Sequence, residues 1–273
     1  MRSSRLLWST VGLSGLLATF LFIFGFIAGA KNILFPPLSG LQAAPNQPAA
    51  NENIFQGTKI QMVALGDSLS KGTGDDTGRG YVGDLREMIA STSGKPTYII
   101  GNLAINGYTS SQLLHDLETN KGLVNTLGKA DLITVTIGGN DLFHLGEDVV
   151  DASVINKRMP TALQNVKQIL TEIRKMNQHA VILYVGLYNP FQDLPNSSQI
   201  ALAIEKWNDS IFNTVSQNPH MVFIPTYDLF SFQFMQFLYS DHFHPNQEGY
   251  NRIAARILQV LEPELPKKGG VTQ

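Results

Sequence analysis

The residues of this chain able to do chemistry fall in four short blocks. Gly66-Asp67-Ser68-Leu69 follows an apolar run at 59–65, and Asn106-Gly107 follows another at 96–104. Gly138-Gly139-Asn140-Asp141 closes a third, and Asp241-His242-Phe243-His244-Pro245 stands just ahead of the last amphipathic stretch. A serine after glycine and aspartate is ordinary turn chemistry, so the first block alone decides nothing. Acyl transfer requires a nucleophile, a base to take its proton and an acid to orient that base. Ser68, His244 and Asp241 can fill those roles. Asp241 and His244 are three residues apart, a spacing that on a helical turn puts both side chains on one side. The aspartate then holds the proton of one ring nitrogen, and the other nitrogen faces the serine. The developing oxyanion needs donors. The candidates are the Ser68 N–H, the Gly107 N–H and the Asn140 amide, which donates without adding charge.

These blocks need a scaffold that brings them together. Five apolar, β-branched runs, at 59–65, 96–104, 130–139, 180–187 and 220–226, read as strands buried on both faces. Helical periods lie between them; residues 155–177 carry Ile155, Met159, Leu163, Val166, Ile169, Leu170 and Ile173 at steps of three and four. Residues 198–216 and 246–261 show similar periods. This alternation predicts a three-layer α/β/α domain around a central parallel sheet, with ligands bound beyond the carboxyl ends of the strands.

In this order and spacing the blocks resemble those of the SGNH/GDSL hydrolases, over about residues 60–262. The resemblance implies a flavodoxin-like sheet, Ser68 as nucleophile, Gly107 and Asn140 in the oxyanion hole with Ser68, and Asp241 and His244 completing a triad. It implies a serine ester hydrolase that needs no cofactor and no metal. A lipid-like or short-chain acyl ester is the expected substrate class, with O-acetylated cell-wall carbohydrate as the runner-up. A non-catalytic surface binding module on the same scaffold is the rival from another class.

Other signals carry less. Asp67 and Asp141 read as turn or cap residues. Asp241, His242 and His244 also have the residue types of a zinc site, but no further cluster has ligand spacing. Gly78 to Gly83 fits G-x-G-x-x-G, yet a loop of about a dozen residues separates it from the preceding strand, where the dinucleotide fingerprint must begin at once. Asp75 and Asp76 read as a solvated loop. The aromatic run 229–239 is read as core, with an acyl-chain wall as the alternative. Tyr188, Phe191, Phe237 and Tyr239 are the candidate wall residues.

A formal net charge of -2 gives no reason to expect nucleic acid, and the absence of cysteine excludes disulfides, thiolate metal sites and a cysteine nucleophile. The 25 residues from Leu6 to Ala30 carry no charge, with Arg2 and Arg5 before them and Lys31 after. That is long enough to span a bilayer, with the N-terminus inside and the rest outside. A cleaved signal peptide, with Ala28-Gly29-Ala30 at its end, is the rival reading. The expected organisation is an anchor over 1–33, a Pro/Ala/Asn/Gln-rich linker over 34–58, the hydrolase domain over 59–265 and a tail over 266–273.

Overall fold

The computed structural model describes residues 18–22, 26, 55–143 and 150–266. The anchor expected over 1–33 and the linker over 34–58 lie mostly outside these, as does the tail after Pro266. Within the first compact unit, residues 1–50, the described positions 18–22 and 26 are helical and exposed. Among the described residues no helix is long and apolar enough to cross a membrane.

The second unit is built on five parallel strands: β1 (Ile60–Gly66), β2 (Thr97–Asn102), β3 (Leu132–Thr136), β4 (Val181–Val185) and β5 (Met221–Ile224). Their order is β2-β1-β3-β4-β5, the order of flavodoxin-like sheets. The helices are α1 (Ser68–Lys71), α2 (Gly80–Ser93), α3 (Ser110–Thr119), α4 (Lys121–Leu127), α5 (Gly139–Phe143), α6 (Ala152–Met176), α7 (Ser197–Val215) and α8 (Gln247–Leu261).

Alternate strand residues feed two cores, as the period of two requires. Val63, Leu65, Ile133, Val135, Ile182 and Tyr184 face the layer of α3, α4, α6 and α7. Met62, Ala64, Leu132, Val181, Leu183 and Val185 face α2 and α8. Burial on both faces explains why β1, β3 and β4 read as continuous apolar runs; the edge strand β2 departs from that expectation, with Tyr98 exposed. Helix α6 buries Ile155, Met159, Val166, Ile169, Leu170 and Ile173 of the stripe that its spacing predicts, and Leu163 is half-buried.

Helices α2, α3 and α4 had no clear period in the sequence. Helix α2 opens on two glycines and a buried turn, and its start is fixed by Asp75, whose Oδ2 accepts the Gly80 N–H at 2.8 Å. Asp75 is thus a buried turn residue and not a solvated one. The segment 78–83 that fits a dinucleotide fingerprint is the start of this helix, separated from β1 by α1 and a turn. Phe55, placed in the linker by composition, is buried, and Lys95 Nζ donates to the carbonyls of Phe55 and Gly57.

The carboxyl ends of β1 and β3 lie side by side. Gly66 has φ +121°, and a Cβ there would stand 1.6 Å from the Thr136 carbonyl oxygen. Only glycine lets the chain leave β1 this close to β3.

Candidate active site

At the end of β1 the Asp67 N–H donates to the Thr136 carbonyl at 3.0 Å, and the chain turns directly into α1. Asp67 caps that short helix, its Oδ1 accepting the Leu69 N–H at 3.1 Å. Ser68 is therefore the first helical residue, held against the sheet edge and 5% exposed. Its Oγ lies 2.7 Å from His244 Nε2, across 176 positions of sequence.

His244 is held by its own loop. Asp241 Oδ1 accepts the N–H groups of Phe243 and His244 at 3.0 and 2.9 Å, while Oδ2 lies 2.7 Å from His244 Nδ1. Tyr239 N–H donates to the His244 carbonyl, and Leu238 and Pro245 form an antiparallel bridge. The i, i+3 pair thus sits in a tight turn, with His242 at φ +57°, and not on the expected helical turn. A carboxylate at Nδ1 fixes the ring proton there and leaves the Nε2 lone pair for the serine hydroxyl. Burial pushes the Asp241 carboxyl upward, but the His244 ring and the two N–H groups outweigh it and hold it below the usual carboxylate range. Among the described residues no three His, Asp or Glu side chains converge as metal ligands.

Asn140 lies in the first turn of α5, and its Nδ2 donates to the Tyr108 carbonyl at 2.9 Å. A carbonyl can only face the NH2 end of the amide, so this bond sets the orientation of the group and leaves a second N–H free to donate elsewhere. Gly107 precedes Tyr108, is exposed and has φ +77°. Ser68 and Asn140 line one cleft of about 440 Å³, counting its open mouth.

The other walls of the cleft are Ile137, Phe143, Val185, Leu187, Tyr188, Pro190 and Phe243, with Asp67 and Thr136 beside the serine. Of the four residues expected as substrate walls, Tyr188 lines the cleft, and its hydroxyl donates to the Phe243 carbonyl. Phe191 stands behind the wall, its ring centroid 5.0 Å from Phe143 and 5.9 Å from Phe243. Phe237 does not reach the cleft. It is buried in the core beneath α8, with the Arg252 guanidinium 3.9 Å from its ring centroid. Tyr239 also lies off the cleft, 37% exposed, with its Cβ against the Gly74 turn. The aromatic run divides: Leu229, Phe230, Phe237 and Leu238 are buried in the core, whereas Phe232, Met235 and Tyr239 are exposed.

Sequence reasoning missed Phe143 and Phe243. Phe143 lies two residues past the Gly-Gly-Asn-Asp block, on the same short helix as Asn140. Phe243 stands between Asp241 and His244, and its ring meets the imidazole edge-to-face at 5.0 Å. Proximity to the blocks was the available signal.

Asp67 is more than a cap. Burial pushes its carboxyl up to about 7, against hydrogen bonds from Thr136 and Leu69 that lower it, and with Asp141 adding to the rise. Thr136 Oγ1 lies 2.8 Å from Asp67 Oδ1 and 2.9 Å from Ser70 Oγ, and Ser70 Oγ lies 2.6 Å from Tyr81 OH. This hydroxyl chain satisfies buried polar atoms under the Ser68 turn.

A serine–imidazole–carboxylate relay at the strand ends, beside an apolar cleft, is an arrangement suited to ester hydrolysis. Known proteins agree. Residues 64–252 match the GDSL-like lipase/acylhydrolase family. The uncharacterized protein YpmR of Bacillus subtilis strain 168 is 34% identical over 216 residues, covering 77% of this chain and 84% of that one. The spore germination lipase LipC of Bacillus licheniformis is 27% identical over 209 residues, 72% of this chain and 94% of that one. The crystal structure of the lipase Lip_vut3, from a goat rumen metagenome, superposes with a TM-score of 0.66 at 25% identity, over 73% of this chain and 96% of that one. The chain belongs to the GDSL-like lipase/acylhydrolase family and is an ester-bond hydrolase.

Proposed function

We propose that this hydrolase cleaves carboxylic esters of aliphatic, lipid-like acids through a Ser68 acyl-enzyme. Ser68 Oγ attacks the acyl carbonyl as His244 Nε2 takes its proton, and the Asp241 carboxylate stabilises the imidazolium that results. The oxygen of the tetrahedral intermediate is met by the Ser68 N–H, the Gly107 N–H and the free N–H of Asn140. His244 then protonates the departing alcohol, and the acyl-enzyme is hydrolysed by a water that His244 activates in turn. The observation that carries this reading is the pair of 2.7 Å contacts, Ser68 Oγ to His244 Nε2 and His244 Nδ1 to Asp241 Oδ2.

The substrate class is argued from the cleft. Apart from Asp67, Thr136 and Asn140 near the serine, its walls are mainly aliphatic and aromatic, with Phe143 and Phe243 at one side and Phe191 packed behind them. An acyl chain gains from such walls, at roughly 0.8 kcal/mol per buried methylene. An acetyl group has only one methyl to place there, so the O-acetyl carbohydrate reading draws less support. The charge-free run from Leu6 to Ala30, after Arg2 and Arg5, supports an enzyme held by an N-terminal anchor with its catalytic unit outside the cell membrane.

The test is a series of p-nitrophenyl esters from acetyl to dodecanoyl, together with an acetylated xylo-oligosaccharide, given to the wild type and to Ser68→Ala. The reading expects kcat/KM to rise with chain length to at least butanoyl or hexanoyl and Ser68→Ala to be inert. Faster turnover of the acetylated sugar than of every aliphatic ester would overturn the substrate class. Undiminished hydrolysis by Ser68→Ala would overturn the mechanism.

A further inference from the structure

The two proposed oxyanion donors outside the nucleophile turn come from different segments, the loop after β2 and the start of α5. Two adjacent residues join those segments. Asn140 Nδ2 donates to the Tyr108 carbonyl at 2.9 Å. Asp141 reaches two residues further along the same loop: its Oδ2 accepts the Ser110 N–H at 2.8 Å and its Oδ1 accepts the Ser110 hydroxyl at 2.6 Å. Ser110 is fully buried, and Asn165 on α6 donates to the same hydroxyl at 3.0 Å. The segment Gly107-Tyr108-Thr109-Ser110 is thus gripped at 108 and at 110 by consecutive residues of α5. The expected role of Asp141, capping the helix that follows it, would leave this bidentate contact with α3 unexplained.

Resting on the Ser68 hydrolase reading, we infer that Asp141 is a positioning residue, whose carboxylate locks the Gly107 loop to Asn140 so that the oxyanion donors form one rigid unit. The contact suits this task. Bonds to an ionised acceptor are roughly twice as strong as neutral ones, and two of them fix direction as well as distance. Donors act on an oxyanion only where they are already in place when charge develops, and a misplacement of about 1 Å costs on the order of a hundredfold in rate. Asp141 need not touch substrate for its loss to be felt in the transition state.

Asp141→Asn keeps the size of the side chain but turns one acceptor into an NH2 donor facing the donors of Ser110. Ser110→Ala removes one of the two partners and leaves the carboxylate. Three quantities are measured: kcat and KM on a short-chain p-nitrophenyl ester, thermal melting, and affinity for a short alkylboronic acid. The boronate adds to the nucleophile and places an oxygen where the oxyanion forms. For Asp141→Asn the expected result is a kcat lower by about 10- to 100-fold, a KM within about threefold and a parallel loss of boronate affinity. For Ser110→Ala the same pattern is expected at about 3- to 10-fold. A merely structural role would lower melting temperature without this matched loss. If Asp141→Asn does not fold, Ser110→Ala decides alone. Variants with wild-type kcat and boronate affinity, or with reduced kcat and unchanged boronate affinity, defeat the inference while an active wild type leaves the hydrolase reading standing. A wild type that neither hydrolyses esters nor binds boronate defeats both.

Discussion

Replacing Asp67 by Asn should make the protein more stable relative to wild type as pH rises. Both hydrogen bonds to the Asp67 side chain, from Thr136 Oγ1 and Leu69 N–H, end on Oδ1. An asparagine keeps that oxygen, and with it the helix cap. What it removes is the ionisation. Burial lifts the carboxyl from 3.8 to about 7 in the folded chain. The folded state therefore holds the proton through a range in which the unfolded chain has released it. The stabilisation this gives is complete below 3.8 and is lost as pH climbs to about 7. The full span is 7 minus 3.8, which at 1.36 kcal/mol per unit gives about 4 kcal/mol. Asparagine has no such dependence. Between pH 5 and pH 8 the stability of the variant relative to wild type should rise by about 2 to 3 kcal/mol. Urea unfolding of both proteins at the two pH values measures it. A difference between the proteins that is constant across that range would refute the assignment of a neutral, buried Asp67.

Other expectations follow from the same contacts. Asp241→Asn should lower kcat by about 10²- to 10⁴-fold, because the amide no longer fixes the His244 tautomer, while KM changes little; steady-state kinetics reads both, and a loss confined to KM would contradict the role. Gly66→Ala should destabilise by about 3 kcal/mol or more, since its Cβ would overlap the Thr136 carbonyl; a melting temperature equal to wild type would show that β1 and β3 do not meet as described. Phe143→Ala should cost about 3 kcal/mol of stability by opening a cavity, and it should shift ester preference toward longer or bulkier acyl groups. An unchanged chain-length profile would remove Phe143 from the acyl wall.

The fold was legible because its central strands β1, β3 and β4 are buried on both faces. Runs such as 130–139 and 180–187 have no exposed polar face to confuse with a helix, and each strand begins within two residues of the apolar run that announced it. Helix α6 was legible from its stripe. Helices α2 to α4 were not, because glycine, serine and threonine blur their period and their starts are set by distant or local side-chain caps such as Asp75 and Asn120. The meeting of Ser68 and His244 followed from both blocks lying beyond strand ends. The cleft walls were harder to foresee. An aromatic residue reads the same whether it faces a cleft or a core, and the turns that send Phe237 into the core and bring Phe243 to the imidazole depend on backbone at Gln233 and His242 with positive φ. The two-residue reach of Asp141 across to Ser110 is tertiary, and no local pattern marks it.

The central claim is that Ser68 is a nucleophile made reactive by His244. Reaction of the full chain with a fluorophosphonate, followed by intact-mass measurement and peptide mapping, tests it most directly. The account predicts one adduct per chain, on the peptide holding Ser68, absent in Ser68→Ala and slowed by orders of magnitude in His244→Ala. An unlabelled wild type, or a label that lands on another serine and survives Ser68→Ala, would contradict it.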